Sequence, residues 1–196
     1  MGRARPCCCT TPNLPSPGQP SPSRKASALL TESPEAPNEA LTRISLDASR
    51  RNIPIEIVPR AAASSLREAA ANLGIAEHRL LKTLVLKRSN GTYLFALIPG
   101  GRSLSWPKLR SVLGVNKLSL PHGDTAFEVT GYRPGTITPF GALTPLPLVI
   151  DATVFQGEQQ AMVALGSGDR LHAVLVAAQD LVSGFDATVA DISVPE

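Results

Sequence analysis

Residues 130–141, Thr-Gly-Tyr-Arg-Pro-Gly-Thr-Ile-Thr-Pro-Phe-Gly, place three glycines and two prolines in twelve positions. Such a stretch cannot continue a helix or lie in mid-sheet, because each Pro removes a donor and each Gly costs backbone entropy. The chain must therefore fold around an irregular segment here. Pro134-Gly135 is a turn pair, Pro presetting φ and Gly tolerating positive φ. The same segment carries Tyr132, Ile137 and Phe140 in a sequence that is only 4% aromatic. Two readings fit: a rigid binding wall with backbone amides bared by Gly131, Gly135 and Gly141, or a structural Ω-loop held by its own apolar side chains.

The flanking sequence gives the irregular segment a scaffold. Residues 1–37 are rich in Pro and Ser with little apolar periodicity, which predicts a disordered tail. The tail lacks a signal-peptide core, and Pro6 stands where a myristoylation signal wants Ser or Thr. All three cysteines, Cys7, Cys8 and Cys9, fall in it, so thiol catalysis and disulfides are excluded from a domain over 38–196. Asn38 is placed to cap a helix with Leu41, Ile44 and Ala48 on one face, and 54–58 alternates as a strand. Ser65-Leu-Arg-Glu68 reads as a capping box opening a helix that stops at Gly74. Strands follow at 81–87 and 92–98 around a tight Asn90-Gly91 turn. Ser105 and Gly114 bracket a helix with Pro107 in its first turn, 117–120 is a short strand, and Asp124 caps a single turn through Val129. Beyond the loop come strands at 146–151, 161–165 and 171–176, a helix at 178–183 and a last strand at 187–192. Without strict β-α alternation, this order predicts an α+β domain, a mixed but mostly antiparallel sheet flanked by short helices.

Charge is unevenly spread. Residues 41–119 hold thirteen Lys/Arg against four Asp/Glu, and residues 120–196 hold two against nine. A polyanion should prefer a surface built from the first half. Lys87, Arg88, Arg102, Lys108, Arg110 and Lys117 are the basic residues there that read either as RNA-stem contacts or as solubilising charge. No apolar run is long enough to cross a bilayer.

Familiar catalytic patterns are missing: there is no phosphate-binding Gly-rich loop with Lys-Ser/Thr, no Gly-x-Ser-x-Gly and no His-Glu-x-x-His. His78, His122 and His172 lack metal-ligand spacing, and His78 and His122 read as surface residues. Chemistry without a side-chain triad would have to come from positioning and backbone dipoles. Lys82 stands out in the apolar run Leu80–Leu86, on the face of Leu84 and Leu86. It reads either as an inward cation awaiting an anion or as a strand-edge lysine reaching for water.

Lys82-Thr83-Leu84, the Thr130-Gly-Tyr…Gly135-x-x-x-Pro139-Phe-Gly loop, Ile150-Asp151 and Gly166-Ser-Gly168 occur in the order found in the YbaK/EbsC family, which the chain resembles over residues 39–194. These are aminoacyl-tRNA editing domains related to the insertion domain of bacterial prolyl-tRNA synthetase. The resemblance implies hydrolysis of the ester between a wrong amino acid and the 3′-adenosine of tRNA, without cofactor or metal. It implies Lys82, Gly135 and Gly168 as catalytic positions. It implies Thr83, Tyr132, Thr136, Pro139, Phe140, Gly166 and Ser167 as substrate contacts, with water or a substrate group as nucleophile.

Cys-tRNA(Pro) is the expected substrate, Ala-tRNA(Pro) or another small aminoacyl-tRNA the alternative, with prolyl-tRNA synthetase as a partner and the cytoplasm as location. A non-catalytic tRNA- or nucleotide-binding module, or a subunit docking on a synthetase, also fits the residues. Where the family's cysteinyl-tRNA deacylases commonly read Ser-Gly-Gly and Pro-Leu-Gly, this chain has Gly166-Ser-Gly168 and Pro139-Phe-Gly141, which implies a narrower pocket wall.

Overall fold

Alternation in Leu81–Arg88 (β2) and Tyr93–Pro99 (β3) organises the main sheet of the computed structural model, which describes residues 37–156 and 162–196. Leu81, Val85, Phe95 and Leu97 point into one apolar cluster, while Leu86, Leu94, Ala96 and Ile98 point into another. A strand buried on both faces needs a layer on each side. The expected tail lies outside the described residues, apart from Pro37, which opens the first helix.

On one side, Pro37–Arg50 (α1) buries Ala40, Ile44 and Ala48, a four-residue spacing on a single helical stripe. The helix begins at Pro37, so Asn38 lies inside it and is not its cap; Pro is favourable at a first helical position, where its missing N–H costs nothing. The same side holds a three-stranded antiparallel sheet of Ile55–Pro59 (β1), Met162–Leu165 (β7) and His172–Ala177 (β8), in the order β1-β8-β7. The helix Ala178–Phe185 (α5) buries Ala178 and Leu181 there. The opposite side is covered by Trp106–Leu113 (α3), whose Leu109 is fully buried.

The main sheet has the order β5-β2-β3-β6-β9, with Leu118–Ser119 as β5, Leu148–Asp151 as β6 and Thr188–Ala190 as β9. β2 and β3 are antiparallel, whereas β6 runs parallel to both β3 and β9. The hairpin is one residue longer than expected. Arg88 N–H bonds the Thr92 carbonyl at 2.8 Å, closing a three-residue loop with Gly91 at φ +85°. The final strand expected over 187–192 is shortened to 188–190, and a further strand, Ser193–Pro195 (β10), pairs with Arg102–Leu104 (β4) in a two-stranded strap. No alternation announces three-residue strands such as these.

The helix Leu66–Asn72 (α2) starts as its sequence signals: the Ser65 hydroxyl accepts the Glu68 N–H at 3.1 Å. The reciprocal arm goes one residue further out, Glu68 accepting from Ser64 N–H and hydroxyl at 2.8 and 2.7 Å. Those bonds hold the Glu68 carboxyl below its usual range. The helix Gly123–Thr130 (α4) spans two turns rather than one; His122 is its cap residue and Asp124 falls in its first turn.

Candidate active site

β5 pairs only with Lys87 and Arg88, so among the described residues the first six residues of β2 have a strand on one side alone. The hydrogen bonds from Gly100 N–H to Leu80 O and from Arg88 N–H to Thr92 O set the phase of the β2–β3 ladder. Bonded pairs recur at every second residue in an antiparallel ladder, so Lys82, Leu84 and Leu86 bond to β3. Leu81, Thr83 and Val85 turn their N–H and C=O toward the open edge. The two sheets touch through one parallel bridge, Leu80 to Ala164. Beside that bridge lies a cavity of about 410 Å³, floored by residues 80–84.

The opposing wall is the irregular loop, locked by its own groups. Arg133-Pro134-Gly135-Thr136 closes a turn through Thr136 N–H to Arg133 O at 3.0 Å, with Gly135 exposed at φ +88°. The Thr130 hydroxyl donates to Ala126 O at 2.7 Å and accepts from Tyr132 N–H. The Tyr132 hydroxyl donates to Phe140 O at 2.9 Å, and Asp47 on α1 accepts Gly141 N–H at 2.9 Å. The second glycine turn is joined to this loop: Gly168 N–H bonds Thr136 O at 2.9 Å. A Cβ on Gly166 would lie 2.5 Å from Thr136 O and 2.6 Å from Ile137 O. Only a residue without a side chain allows so close an approach.

Of the residues singled out in the sequence, Lys82, Thr83, Gly135 and Gly166 line this one cavity, with Ile137 and Leu165. Six others lie elsewhere. Tyr132 and Phe140 are core residues, Phe140 packing edge-on against Phe185 at 5.1 Å, so Phe140 does not narrow the cavity wall. Thr136 is buried, with its hydroxyl donating to Arg133 O. Pro139 borders a separate cleft with Arg43, Asp47 and Phe185. Ser167 is buried and donates to His172 O at 2.8 Å, and Gly168 is packed against Ala40 and Tyr132. Bulk and backbone bonding pull these six into the support behind the wall.

Lys82 lines the cavity, a quarter of its side chain exposed. Its ammonium donates to Arg102 O at 2.8 Å and to the Glu196 carboxylate, which it holds below the usual carboxylate range. Sequence reasoning missed Arg60, after β1, and Arg170, two residues past the glycine turn, which also line the cavity. A basic residue just beyond the turn was the available signal. Arg60 Nε bonds His172 O at 3.1 Å, and burial lowers its pKa, an effect Asp169 opposes and Arg170 reinforces. Asp169 pairs with His172 Nδ1 at 2.8 Å. Among the described residues, the lining side chains include no Asp, Glu, His or Cys, so they offer cations, hydroxyls and main-chain groups.

The charge asymmetry is partly spent inside the fold. Lys82 meets Glu196, and Lys108 meets Asp191 at 2.7 Å and Ser193 O at 2.9 Å. Arg102 bonds the Ser193 hydroxyl at 2.6 Å. Arg102 and Lys108 therefore tie down the strap, which corrects their reading as open RNA contacts. Lys87 lies over the Tyr93 ring at 5.8 Å, and Lys87 and Arg88 pair with β5 beside Lys117, at the other end of β2 from the cavity. Arg110 sits on α3. Among the described residues, no helix is long and apolar enough to cross a membrane.

Residues 60–183 match the sequence profile of the aminoacyl-tRNA editing domain. The chain belongs to that family. It is 31% identical over 133 residues to proline–tRNA ligase of a Geobacter species, covering 67% of this chain and 23% of that protein. It is 26% identical over 132 residues to EbsC of Enterococcus faecalis, a candidate Cys-tRNA(Pro)/Cys-tRNA(Cys) deacylase, covering 67% and 79%. The chain spans 18–23% of the length of the first ligases it matches. A solved structure described as a candidate trans-editing enzyme for prolyl-tRNA synthetase shares the fold, with a TM-score of 0.72, 23% identity and coverage of 79% and 97%.

Proposed function

We propose that this editing domain deacylates Cys-tRNA(Pro) in trans, using the cavity between the β2 edge and the two glycine turns. One observation carries the reading: Lys82, Thr83, Gly135 and Gly166, far apart in sequence, border a single space. Lys82 anchors the phosphodiester of the 3′-adenosine by a charge-assisted bond. Main-chain N–H groups, on the open β2 edge and around Gly135, face the ester carbonyl, whose oxygen gains charge as the nucleophile adds. Water or a substrate group attacks the carbonyl carbon, and the ribose oxygen leaves and takes up a proton. With water the products are the free amino acid and intact tRNA. Among the described lining residues no side chain is a general base, and in this reading the nucleophile's proton passes to solvent or to the substrate's own groups.

The acceptor stem runs toward the far end of β2, where Lys87 and Arg88 lie roughly 13–17 Å from Thr83 at a strand's rise per residue, with Lys117 beside them just before β5. Arg110 adds a further phosphate contact from α3. Residues 38–196 form the catalytic domain. The reaction belongs in the cytoplasm, beside the prolyl-tRNA synthetase that makes the error.

The EbsC similarity favours cysteine over alanine. Deacylation assays on Cys-, Ala- and Ser-tRNA(Pro) in parallel test this, with cysteine released fastest. Lys82→Ala lowers kcat/KM by about 100-fold, or about 2.7 kcal/mol, while the fold persists. Full activity in that variant removes Lys82 from the mechanism; faster loss of alanine reassigns the substrate.

A further inference from the structure

The anion position on Lys82 is already filled by the protein itself. β10 pairs antiparallel with β4, Pro195 opposite Arg102, and this register carries the chain to Glu196 beside Lys82. The Glu196 N–H donates to Gly101 O at 3.2 Å, and its carboxylate accepts from the Lys82 ammonium and, at 3.3 Å, from the Ser103 hydroxyl. The strap that delivers it is bolted down by Arg102 and Lys108. The contact itself is open to water, with the Glu196 side chain about half exposed (48%). A pair of this exposure exchanges readily. Arg60 and Arg170, the other cations of the cavity, have no carboxylate within 4 Å among the described residues, so the masking is confined to Lys82.

We propose that Glu196 is an internal competitor for the Lys82 anion site, keeping free anions off the anchor and yielding it to the phosphodiester of a tRNA end. The inference rests on the reading of Lys82 as the 3′-end anchor. An incoming phosphate would share one ammonium with a carboxylate of the same sign, and the repulsion moves the more weakly held group out. Glu196 is that group, since rotation about its side-chain bonds takes the carboxylate into water without disturbing the β4–β10 pairing. Displacement costs every ligand the same factor, about two- to fivefold for a pair this exposed. That factor is minor for an RNA held by several further contacts. For a lone phosphate or mononucleotide held by one cation and present below its dissociation constant, it cuts the occupancy by that same two- to fivefold.

The test uses the full chain with Glu196→Gln, Lys82→Ala and the double variant, each first checked for a wild-type urea midpoint. Glu196→Gln lowers KM for charged tRNA about two- to fivefold at unchanged kcat, and lowers the inhibition constant of inorganic phosphate by the same factor. In the Lys82→Ala background, the Glu196→Gln change leaves the affinity for an uncharged acceptor-stem minihelix ending in CCA unaltered. A gain in affinity from removing a contact is not the signature of a structural tie. If Lys82→Ala loses activity while Glu196→Gln leaves both constants unchanged or raises KM, the competitor assignment is overturned and the anchor reading stands. If Lys82→Ala keeps the wild-type kcat and KM, the anchor reading fails and the competitor goes with it.

Discussion

Gly166→Ala tests whether the weld between the two glycine turns shapes the cavity. The added Cβ would sit 2.5 Å from Thr136 O, 2.6 Å from Ile137 O and 2.7 Å from Thr136 C, all main-chain atoms. Ordinary carbon–oxygen contact begins near 3.3 Å, so the segments must part by roughly 0.8 Å. Thr136 cannot yield freely, since its carbonyl holds Gly168 N–H and its N–H holds the Arg133 carbonyl. Overpacking of this kind costs about 1–3 kcal/mol. The φ of Gly166 lies outside the left-handed region, so alanine recovers about 0.4–1 kcal/mol through the unfolded chain. The net loss should be about 1–2 kcal/mol, read as a lower urea midpoint at unchanged slope.

Because the displaced wall borders the site, kcat/KM should fall by about 10- to 100-fold, the usual price of a misplacement approaching 1 Å. Gly91→Ala separates the two effects. Its φ of +85° imposes backbone strain, but nothing lies within 4 Å of the added Cβ, and it sits at the hairpin tip. It should lose stability and keep kcat/KM. If Gly166→Ala matches wild type in both measurements, or loses only the activity that Gly91→Ala loses, the wall is not held by this contact.

Arg60→Ala and Arg170→Ala should each raise KM about 3- to 10-fold and flatten the salt dependence of tRNA affinity by roughly 0.7 per removed phosphate contact, measured by titration in KCl. Asp151 is buried and accepts from Thr153 N–H at 2.9 Å, the Thr153 hydroxyl and Ile192 N–H at 3.0 Å. Burial raises its pKa, but hydrogen bonds from Thr153, Ser193 and Ile192 outweigh that and hold it below the usual 3.8. Its stabilisation is therefore complete above the unfolded-state value and drains away as pH falls through the lower folded one. Asp151→Asn should cost about 1–3 kcal/mol at pH 7, a gap that narrows in urea titrations below pH 4. Tyr132→Phe leaves the Phe140 carbonyl without its hydroxyl donor and should cost about 1–2 kcal/mol; a rise in KM larger than that of Gly166→Ala would return Tyr132 to the substrate.

The sequence announced elements with a repeating apolar pattern or a stereochemical demand. The α1 stripe, the β2–β3 hairpin, the Ser65 cap and the Pro134-Gly135 turn each rest on a few neighbouring residues. Lys82 was visible because a charge interrupted an apolar strand, and the glycines because their spacing was unusual. The β4–β10 strap was not legible: three-residue strands lack a period, and their pairing spans about ninety residues. Nor was the partition of the loop into wall and support. Tyr132, Phe140 and Ser167 sit beside Gly135 and Gly166 in the chain, but which faces the cavity is decided by hydrogen bonds to α1 and α4 and by packing on Phe185. Arg60 and Arg170 meet at the cavity only through the β1–β8 pairing.

Among the described residues, the two-residue β5 leaves six residues of β2, 81–86, without a strand on that edge. An unpaired strand margin usually invites a second chain to add itself; here it is recessed between α2 and the Gly135 turn, out of reach of any flat partner. What it presents is peptide group after peptide group, and such a surface grips features common to all aminoacyl esters. If the proposed deacylation is right, discrimination between amino acids rests on the room that Ile137 and Leu165, which line the cavity, leave for the side chain, and enlarging or trimming those two residues should change which amino acid is released.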